Sequence, residues 1–146
     1  QVDIAGLKFS TRIDRMDRLK DGSKLIIDYK TGKNIGISKL INQPLEQAQL
    51  PIYAISNEVD GVAFATINSQ ECQFKAITKN KNDLPMSSQS INRMPEWKKQ
   101  VSDWKDELVQ ASQKFQNGHA EVLPSSHACD FCDYDLLCRI DKSGND

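Results

Sequence analysis

An apolar run that ends in three functional side chains constrains the fold more than any other stretch of this chain. Residues 25–27 (Leu-Ile-Ile) lead directly into Asp28-Tyr29-Lys30, and the turn signal Asp21-Gly22 precedes them. This composition predicts a β-strand over residues 24–30 that follows a hairpin turn. Side chains alternate between the faces of a strand, so Asp28 and Lys30 point the same way. A carboxylate beside an ammonium at a strand end suits metal-assisted chemistry, and a surface ion pair is the alternative.

The length of the hairpin loop decides what faces Asp28. With Asp21-Gly22 as a two-residue turn, Asp14 faces Tyr29 and lies on the other side of the sheet from Asp28. With a three-residue loop that has Gly22 in the left-handed conformation, Asp14 lies directly across from Asp28, with Cβ atoms ~5 Å apart. Two facing carboxylates repel each other unless a cation lies between them. We predict the three-residue loop because it creates a metal site.

The remaining patterning predicts two helices and two further strands. Residues 4–19 read as one extended segment with a bend or bulge at Gly6. An amphipathic helix with Pro44 in its first turn follows, kinked by Pro51. Residues 62–68 and 72–78 read as strands, and 79–95 as a polar loop. A second amphipathic helix starts at Trp97 and is closed by Asn117-Gly118. The apolar positions of the two helices are Leu45, Ala48, Ile52, Ile55 and Val59, then Trp97, Val101, Trp104, Leu108, Ala111 and Phe115.

This order of elements predicts an α/β (α+β) fold. We expect a mixed central sheet flanked by helices and a cysteine-rich C-terminal tail. The core domain would span residues 1–118, and residues 119–146 would form a tail segment of the same domain. Because the chain begins abruptly within a strand pattern, we expect a fragment of a longer polypeptide.

Composition narrows the class of protein. A chain of 146 residues fits one domain, and no apolar run approaches the ~20 residues of a membrane span. With no signal-peptide pattern either, we expect a cytoplasmic protein without a membrane partner. The net charge of −1 gives no general attraction to nucleic acid, so DNA binding needs a local patch. Arg12, Arg15 and Lys33 are the candidates for this patch, and a solvated charged face is the alternative.

Three of the four cysteines crowd between residues 129 and 138, which indicates metal binding in a reducing compartment rather than a disulfide framework. An iron–sulfur cluster needs four ligands. His127 with Cys129, Cys132 and Cys138 would instead complete a local zinc site. Cys72 opens a predicted strand and is expected to pack as a small apolar residue, and we interpret His119 as a surface or structural residue.

Four features, taken in order, carry a family resemblance. They are residues 13–17 (IDRMD), residues 27–32 (IDYKTG), residues 49–53 (QLPIY) and the Cys129-x2-Cys132-x5-Cys138 spacing. Together they resemble the RecB-like branch of the PD-(D/E)XK nucleases, including AddB-type helicase-nuclease domains with an iron–sulfur cluster. The resemblance covers nearly the whole chain and implies a restriction-endonuclease-like fold.

The resemblance also implies roles for individual residues. Asp14 and Asp28 would be metal ligands and Lys30 the catalytic lysine, while Gln49 and Tyr53 on the following helix would line the site. The carboxylates would hold Mg²⁺ or Mn²⁺, hard ions that favour oxygen. The three tail cysteines would supply three of four cluster ligands in the full-length protein.

The resemblance further places the fourth cysteine, and a His or Glu metal ligand on an earlier helix, before residue 1. We therefore expect the isolated fragment to bind metal weakly and to show little or no cleavage.

Two acidic residues are weaker candidates, and Tyr53 has a second interpretation. Alternation puts Asp17 on the face away from Asp14, so pairing with Arg15 or Lys24 is expected instead of metal ligation. Glu46 reads better as a solvated helix residue than as a ligand. For Tyr53 the alternative is a half-buried aromatic residue at the edge of the core.

The sequence thus favours a Mg²⁺-dependent DNA exonuclease domain of a larger DNA repair or recombination protein, with a helicase domain or subunit as partner. One rival is a catalytically inactive nuclease fold that binds DNA or docks a helicase. Another rival is a zinc-stabilised interaction domain, for which zinc in the tail would be the discriminating observation.

Overall fold

The computed structural model describes residues 1–32, 36–41, 45, 47–69, 72–87, 91, 94–120, 129, 132–134 and 137. The strands within this part of the chain are β1 (Val2–Ile4), β2 (Leu7–Phe9), β3 (Arg15–Arg18), β4 (Lys24–Lys30), β5 (Gly61–Ile67) and β6 (Cys72–Thr78). The helices are α1 (Ser38–Ile41), α2 (Gln49–Ser56) and α3 (Trp97–Gln116).

Four strands form one mixed sheet in the order β3-β4-β5-β6. The central pair, β4 and β5, is parallel, and each outer strand is antiparallel to its neighbour. A parallel pair needs a crossover connection, and the segment containing α1 and α2 provides it. The structure confirms the predicted mixed sheet with helices packed against it.

The register between β3 and β4 is the one expected for the three-residue loop. Arg15 pairs with Ile27, and Leu19 N–H donates to Ser23 O across 2.8 Å. Gly22 has a φ of 91°, in the left-handed region where glycine carries no Cβ penalty. The predicted loop is therefore confirmed. The ladder ends at the Arg15–Ile27 pair, and the next residue on each side is Asp14 and Asp28.

Residues 4–19 do not form the one extended segment that was predicted. β1 and β2 make a separate antiparallel hairpin, because Ala5 (φ 50°) and Gly6 (φ 87°) form a tight turn between them. The Asp3 carboxylate caps this turn by accepting from Gly6 N–H at 2.8 Å. Ile4 packs with Ile52 of α2 and Leu108 of α3, so the hairpin lies against these helices.

Helix α2 is shorter than the predicted helix. It begins at Gln49, and its first hydrogen bond runs from Ile52 N–H to Ala48 O. Pro51 therefore occupies the first turn, where a backbone N–H has no partner within the helix. The predicted kink at Pro51 is wrong for this reason, and Pro44 lies outside the described residues.

Helix α3 begins and ends as predicted. The Glu96 carboxylate caps its start by accepting from two backbone N–H groups, and Gly118 (φ 78°) follows its C-cap. Two predicted apolar positions are nevertheless exposed, Ala111 and Phe115. The buried stripe instead repeats at three and four residues and includes two polar members; it consists of Trp97, Gln100, Trp104, Leu108 and Ser112.

The main core lies between the helices and one face of the sheet. Trp104 is 1% exposed, and its indole N–H donates to Leu40 O of α1 at 2.6 Å. Trp97 meets it edge to face, with ring centroids 6.0 Å apart. Sheet residues of this face include Ile26 and Phe64, so the core extends up to the strand that carries Asp28.

Candidate active site

Asp28 and Lys30 lie at the C-terminal end of β4, in the middle of the sheet. Asp28 is 2% exposed, and Lys30 Nζ lies 2.7 Å from Asp28 Oδ2. The same ammonium lies 5.7 Å from the ring centroid of Phe64, which pairs with Asp28 across β4 and β5. The predicted ion pair is therefore present, and it is largely buried rather than a surface pair.

The Asp28 Oδ2 atom is a buried oxygen without a hydrogen-bond donor among the described residues. The ammonium is close, but the contact lacks the angles of a hydrogen bond. The ammonium offsets part of the cost of burying this charge, and the oxygen keeps lone pairs for a further ligand. Such an oxygen, at the end of a strand, fits a hard divalent cation such as Mg²⁺.

Asp14 lies one residue before β3 and is exposed. Its Oδ2 accepts from the backbone N–H of Tyr29 at 3.2 Å, which fixes the carboxylate against the segment next to Asp28. The described part of the chain contains no group of three or more His, Cys, Asp or Glu arranged to hold a metal ion. Asp14 and Asp28 are thus a candidate two-carboxylate donor set, and Glu46 lies outside the described residues.

Gln49 and Tyr53 lie on α2 and connect it to the segment that precedes β3. Tyr53 is 3% exposed, so it is a core residue rather than a half-buried one. Its hydroxyl donates to the backbone carbonyl of Arg12 and accepts from Gln49 Nε2, the latter at 3.0 Å. These bonds tie α2 to a residue only two positions before Asp14. The pair thus fixes the segment that carries one of the carboxylates.

Arg15 is occupied by partners on the other face of the sheet. Its guanidinium binds both carboxylate oxygens of Asp17, at 2.7 and 2.8 Å, and donates to Tyr29 Oη at 3.0 Å. Hydrogen bonding to Asp17 and then to Tyr29 raises the pKa of Arg15 above its already high value. The expectation that Asp17 pairs with Arg15 is confirmed.

Two of the three predicted DNA-binding residues, Arg12 and Arg15, are among the described residues. Arg15 pairs with Ile27 and so lies on the face opposite Asp28. Arg12 is exposed near Asp14, and Lys33 lies outside the described residues.

The tail cysteines are described only in part. Cys129 and Cys132 are partly buried free thiols in one turn, in which Cys132 N–H donates to Cys129 O at 3.5 Å. Cys138 and His127 lie outside the described residues. Cys72 is exposed at the start of β6, so the expectation that it packs as an apolar residue is wrong. His119 is exposed, as expected of a surface residue.

Sequence reasoning missed two residues next to Lys30. Phe64 lies under its ammonium, and Thr66 pairs with Lys30 across β4 and β5. Both belong to the run Gly61–Ile67, which reads as an ordinary buried strand. The strand–helix–strand order is a signal for parallel pairing, and it could have directed attention to them.

The fold and the Asp28–Lys30 pair at the end of β4 together define the structural class of this protein. A mixed four-stranded sheet, with helices packed on the face that carries the Asp28–Lys30 pair, is a restriction-endonuclease-like architecture. The family model described as the PD-(D/E)XK nuclease superfamily matches residues 1–139, and the chain belongs to this superfamily. Membership points to nuclease activity on DNA and to a divalent metal such as Mg²⁺.

Comparisons with curated proteins and with solved structures gave no match. In the part of the chain that the structure describes, no helix has both the length and the apolar character needed to cross a membrane.

Proposed function

We propose that this chain is a metal-dependent DNA nuclease domain that hydrolyses phosphodiester bonds. The observation that carries the proposal is the buried Asp28 carboxylate, whose Oδ2 is ion-paired with the Lys30 ammonium at 2.7 Å and accepts no hydrogen bond from the described residues. Membership of the PD-(D/E)XK superfamily supports the same chemistry.

Each residue has a role in this proposal. Asp14 and Asp28 would hold Mg²⁺ or Mn²⁺, which, when bound, lowers the pKa of a water and neutralises phosphate charge. Lys30 orients the attacking water with its ammonium and stabilises the negative charge that develops on the phosphate. The Phe64 ring stabilises the ammonium by a cation–π interaction.

Gln49 and Tyr53 keep the site assembled. Their hydrogen bonds to each other and to the Arg12 carbonyl hold the approach to Asp14 in place. Arg12 is exposed two residues before Asp14, where its guanidinium can contact a DNA phosphate. Lys33, three residues after Lys30 in the sequence, is the second phosphate contact we propose.

We further propose a RecB-like exonuclease domain within a larger DNA repair or recombination protein that has a helicase domain or subunit. The order of the four sequence features supports this assignment. In this proposal Cys129, Cys132 and Cys138 bind an iron–sulfur cluster in the full-length protein. Visible absorbance would support the cluster, whereas a colourless protein with one zinc per chain would assign the tail, with His127, to zinc.

The decisive test is cleavage of linear DNA by the full-length protein in Mg²⁺, with the metal chelated as a blank. Asp28→Asn and Lys30→Met preserve side-chain size, and each should lower the rate by roughly 10²–10⁴-fold. The matched control is the Lys99–Asp103 pair, also 2.7 Å apart but exposed on α3. Lys99→Met and Asp103→Asn should leave the rate unchanged.

Wild-type rates in both site variants would contradict the proposal. The two-carboxylate donor set also allows a second function, a nuclease fold that binds DNA or docks a helicase without cutting. DNA binding by the full-length protein with no metal-dependent cleavage would favour that function.

A further inference from the structure

Thr66 carries a buried hydroxyl that the described structure leaves without a partner. The residue is 0% exposed on β5, and its Oγ1 has no hydrogen-bond partner among the described residues. A threonine hydroxyl offers one donor and two acceptor lone pairs, and buried hydroxyls are normally paired. An unpaired hydroxyl in the middle of a sheet therefore suggests a partner that engages in another state of the molecule.

The parallel register identifies the nearest candidate partner. Thr66 pairs with Lys30 and Phe64 pairs with Asp28, so the four side chains share one face of two adjoining strands. Asp28 Oδ2 is the other side-chain oxygen on these strands that accepts no hydrogen bond from the described residues, and its partner is the Lys30 ammonium in an ion pair. Two possible acceptors for the Lys30 ammonium therefore lie on these two strands, the Asp28 carboxylate oxygen and the Thr66 hydroxyl oxygen, and neither has a hydrogen bond within the described part of the chain.

A divalent cation bound to Asp28 would repel the Lys30 ammonium and so favour a different partner for it. Lys30 Nζ lies 2.7 Å from Asp28 Oδ2, the oxygen that the proposed function assigns to the divalent cation. Two cationic groups on one oxygen are within about 5 Å of each other and repel strongly in a buried site. The ammonium has three donors and must find another acceptor when it leaves the carboxylate.

We propose that Thr66 is a positioning residue for Lys30. When Asp28 holds the cation, the Lys30 ammonium moves its contact from Asp28 Oδ2 to Thr66 Oγ1, which accepts a hydrogen bond from it. The hydroxyl thereby keeps the ammonium at the site, charged and directed by a fixed acceptor. This inference rests on the proposed function and deepens it.

The test compares Thr66→Val, which replaces only the hydroxyl by a methyl group, with Thr66→Ser, which keeps the hydroxyl. Without metal, Thr66→Val should raise the Tm by a few degrees, because it removes an unpaired buried hydroxyl. In a calorimetric Mn²⁺ titration the same variant should bind Mn²⁺ about 5–10-fold more weakly, since Lys30 then has no alternative acceptor. Thr66→Ser should bind Mn²⁺ with wild-type affinity.

The matched control is Thr78→Val on β6. Thr78 is equally buried, but its hydroxyl already donates to Asn80 O at 2.7 Å. This variant should lower the Tm and leave the Mn²⁺ affinity unchanged. In a Lys30→Met background, Thr66→Val should no longer weaken Mn²⁺ binding, because the ammonium that it positions is absent.

The outcomes separate the two proposals. If Asp28→Asn abolishes Mn²⁺ binding but Thr66→Val leaves it unchanged, the role of Thr66 is wrong and the proposed metal site stands. An equal effect of Thr66→Val with and without Lys30 also overturns the role of Thr66. If Asp28→Asn leaves Mn²⁺ binding unchanged, the proposed metal site is wrong and the inference falls with it.

Discussion

At the scale of single residues, polar atoms that lack partners are as informative as those that have them. Asp28 Oδ2 and Thr66 Oγ1 are both buried without a hydrogen bond, on neighbouring strands of one sheet. The Tyr53 hydroxyl is the opposite case, since it is fully used by Arg12 O and Gln49 Nε2. Unsatisfied groups mark where a ligand is expected, and satisfied groups mark what holds the site in place.

The Tyr53 hydroxyl gives a prediction at this scale. Tyr53→Phe removes the hydroxyl that donates to the Arg12 carbonyl, so the free energy of unfolding should fall by about 0.5–1.5 kcal/mol. Metal affinity should also fall, because the segment that carries Asp14 loses its tie to α2. Urea unfolding and Mn²⁺ titration measure the two effects.

Tyr134→Phe is the control for this change, because Tyr134 is 65% exposed. It should change neither quantity. An unfolding free energy for Tyr53→Phe within 0.5 kcal/mol of wild type, on the scale of ordinary surface substitutions, would count against the tie.

At the scale of elements, the close approach of β4, β5 and β6 sets the geometry of the site. Gly61 opens β5 between the other two strands and pairs with Leu25 on one side and Thr78 on the other. A Cβ at this position would meet Leu25 Cδ2 at 2.6 Å and Thr78 Cγ2 at 2.7 Å. The parallel register that aligns Phe64 with Asp28 and Thr66 with Lys30 starts from this glycine.

Gly61→Ala should therefore destabilise the protein by about 1–3 kcal/mol through overpacking. Gly22→Ala is the comparison, because a Cβ there has open space and only the positive φ opposes it. Gly22→Ala should lower the free energy of unfolding by about 1 kcal/mol, because only the backbone conformation opposes the substitution. Thermal unfolding of both variants measures the difference, and equal losses would mean that crowding at Gly61 is relieved by movement of the two side chains.

At the scale of the whole molecule, α3 joins the parts of the chain that surround the site. The Trp104 indole donates to Leu40 O of α1, and the Glu107 carboxylate accepts from Leu45 N–H at 2.5 Å. Gln116, at the end of the helix, donates to Ala5 O of the N-terminal hairpin at 2.6 Å. One helix therefore contacts the hairpin and the connection between β4 and α2.

Trp104→Phe should remove about 2–4 kcal/mol from the free energy of unfolding, because it leaves a cavity and an unpaired Leu40 carbonyl. Phe115→Ala is the control on the same helix, because Phe115 is 71% exposed. Its effect should stay within about 0.5 kcal/mol. Denaturant unfolding followed by circular dichroism checks both, and a similar small loss in the two variants would contradict the central role of Trp104.

Local signals in the sequence determined much of this protein. Asp21-Gly22 and the apolar run before Asp28 were enough to predict β4 and a hairpin turn, because turn chemistry and side-chain alternation act over a few residues. These signals left two loop lengths open, and the expectation of a metal site between Asp14 and Asp28 selected the three-residue loop. Helix α3 was likewise predicted from local signals, its apolar spacing after Trp97 and the closing Asn117-Gly118. The order of features pointed to the PD-(D/E)XK superfamily, which the family model confirms.

Only the tertiary structure decided which distant residues meet. Pro51 does not kink α2 because the helix begins two residues before it, and Phe115 is exposed because the buried stripe runs through Ser112. Thr66 pairs with Lys30 in the sheet only because β5 lies parallel to β4. Contacts of this kind depend on the packing of whole elements, which no short stretch of sequence specifies, whereas turns and strand faces are set by neighbouring residues.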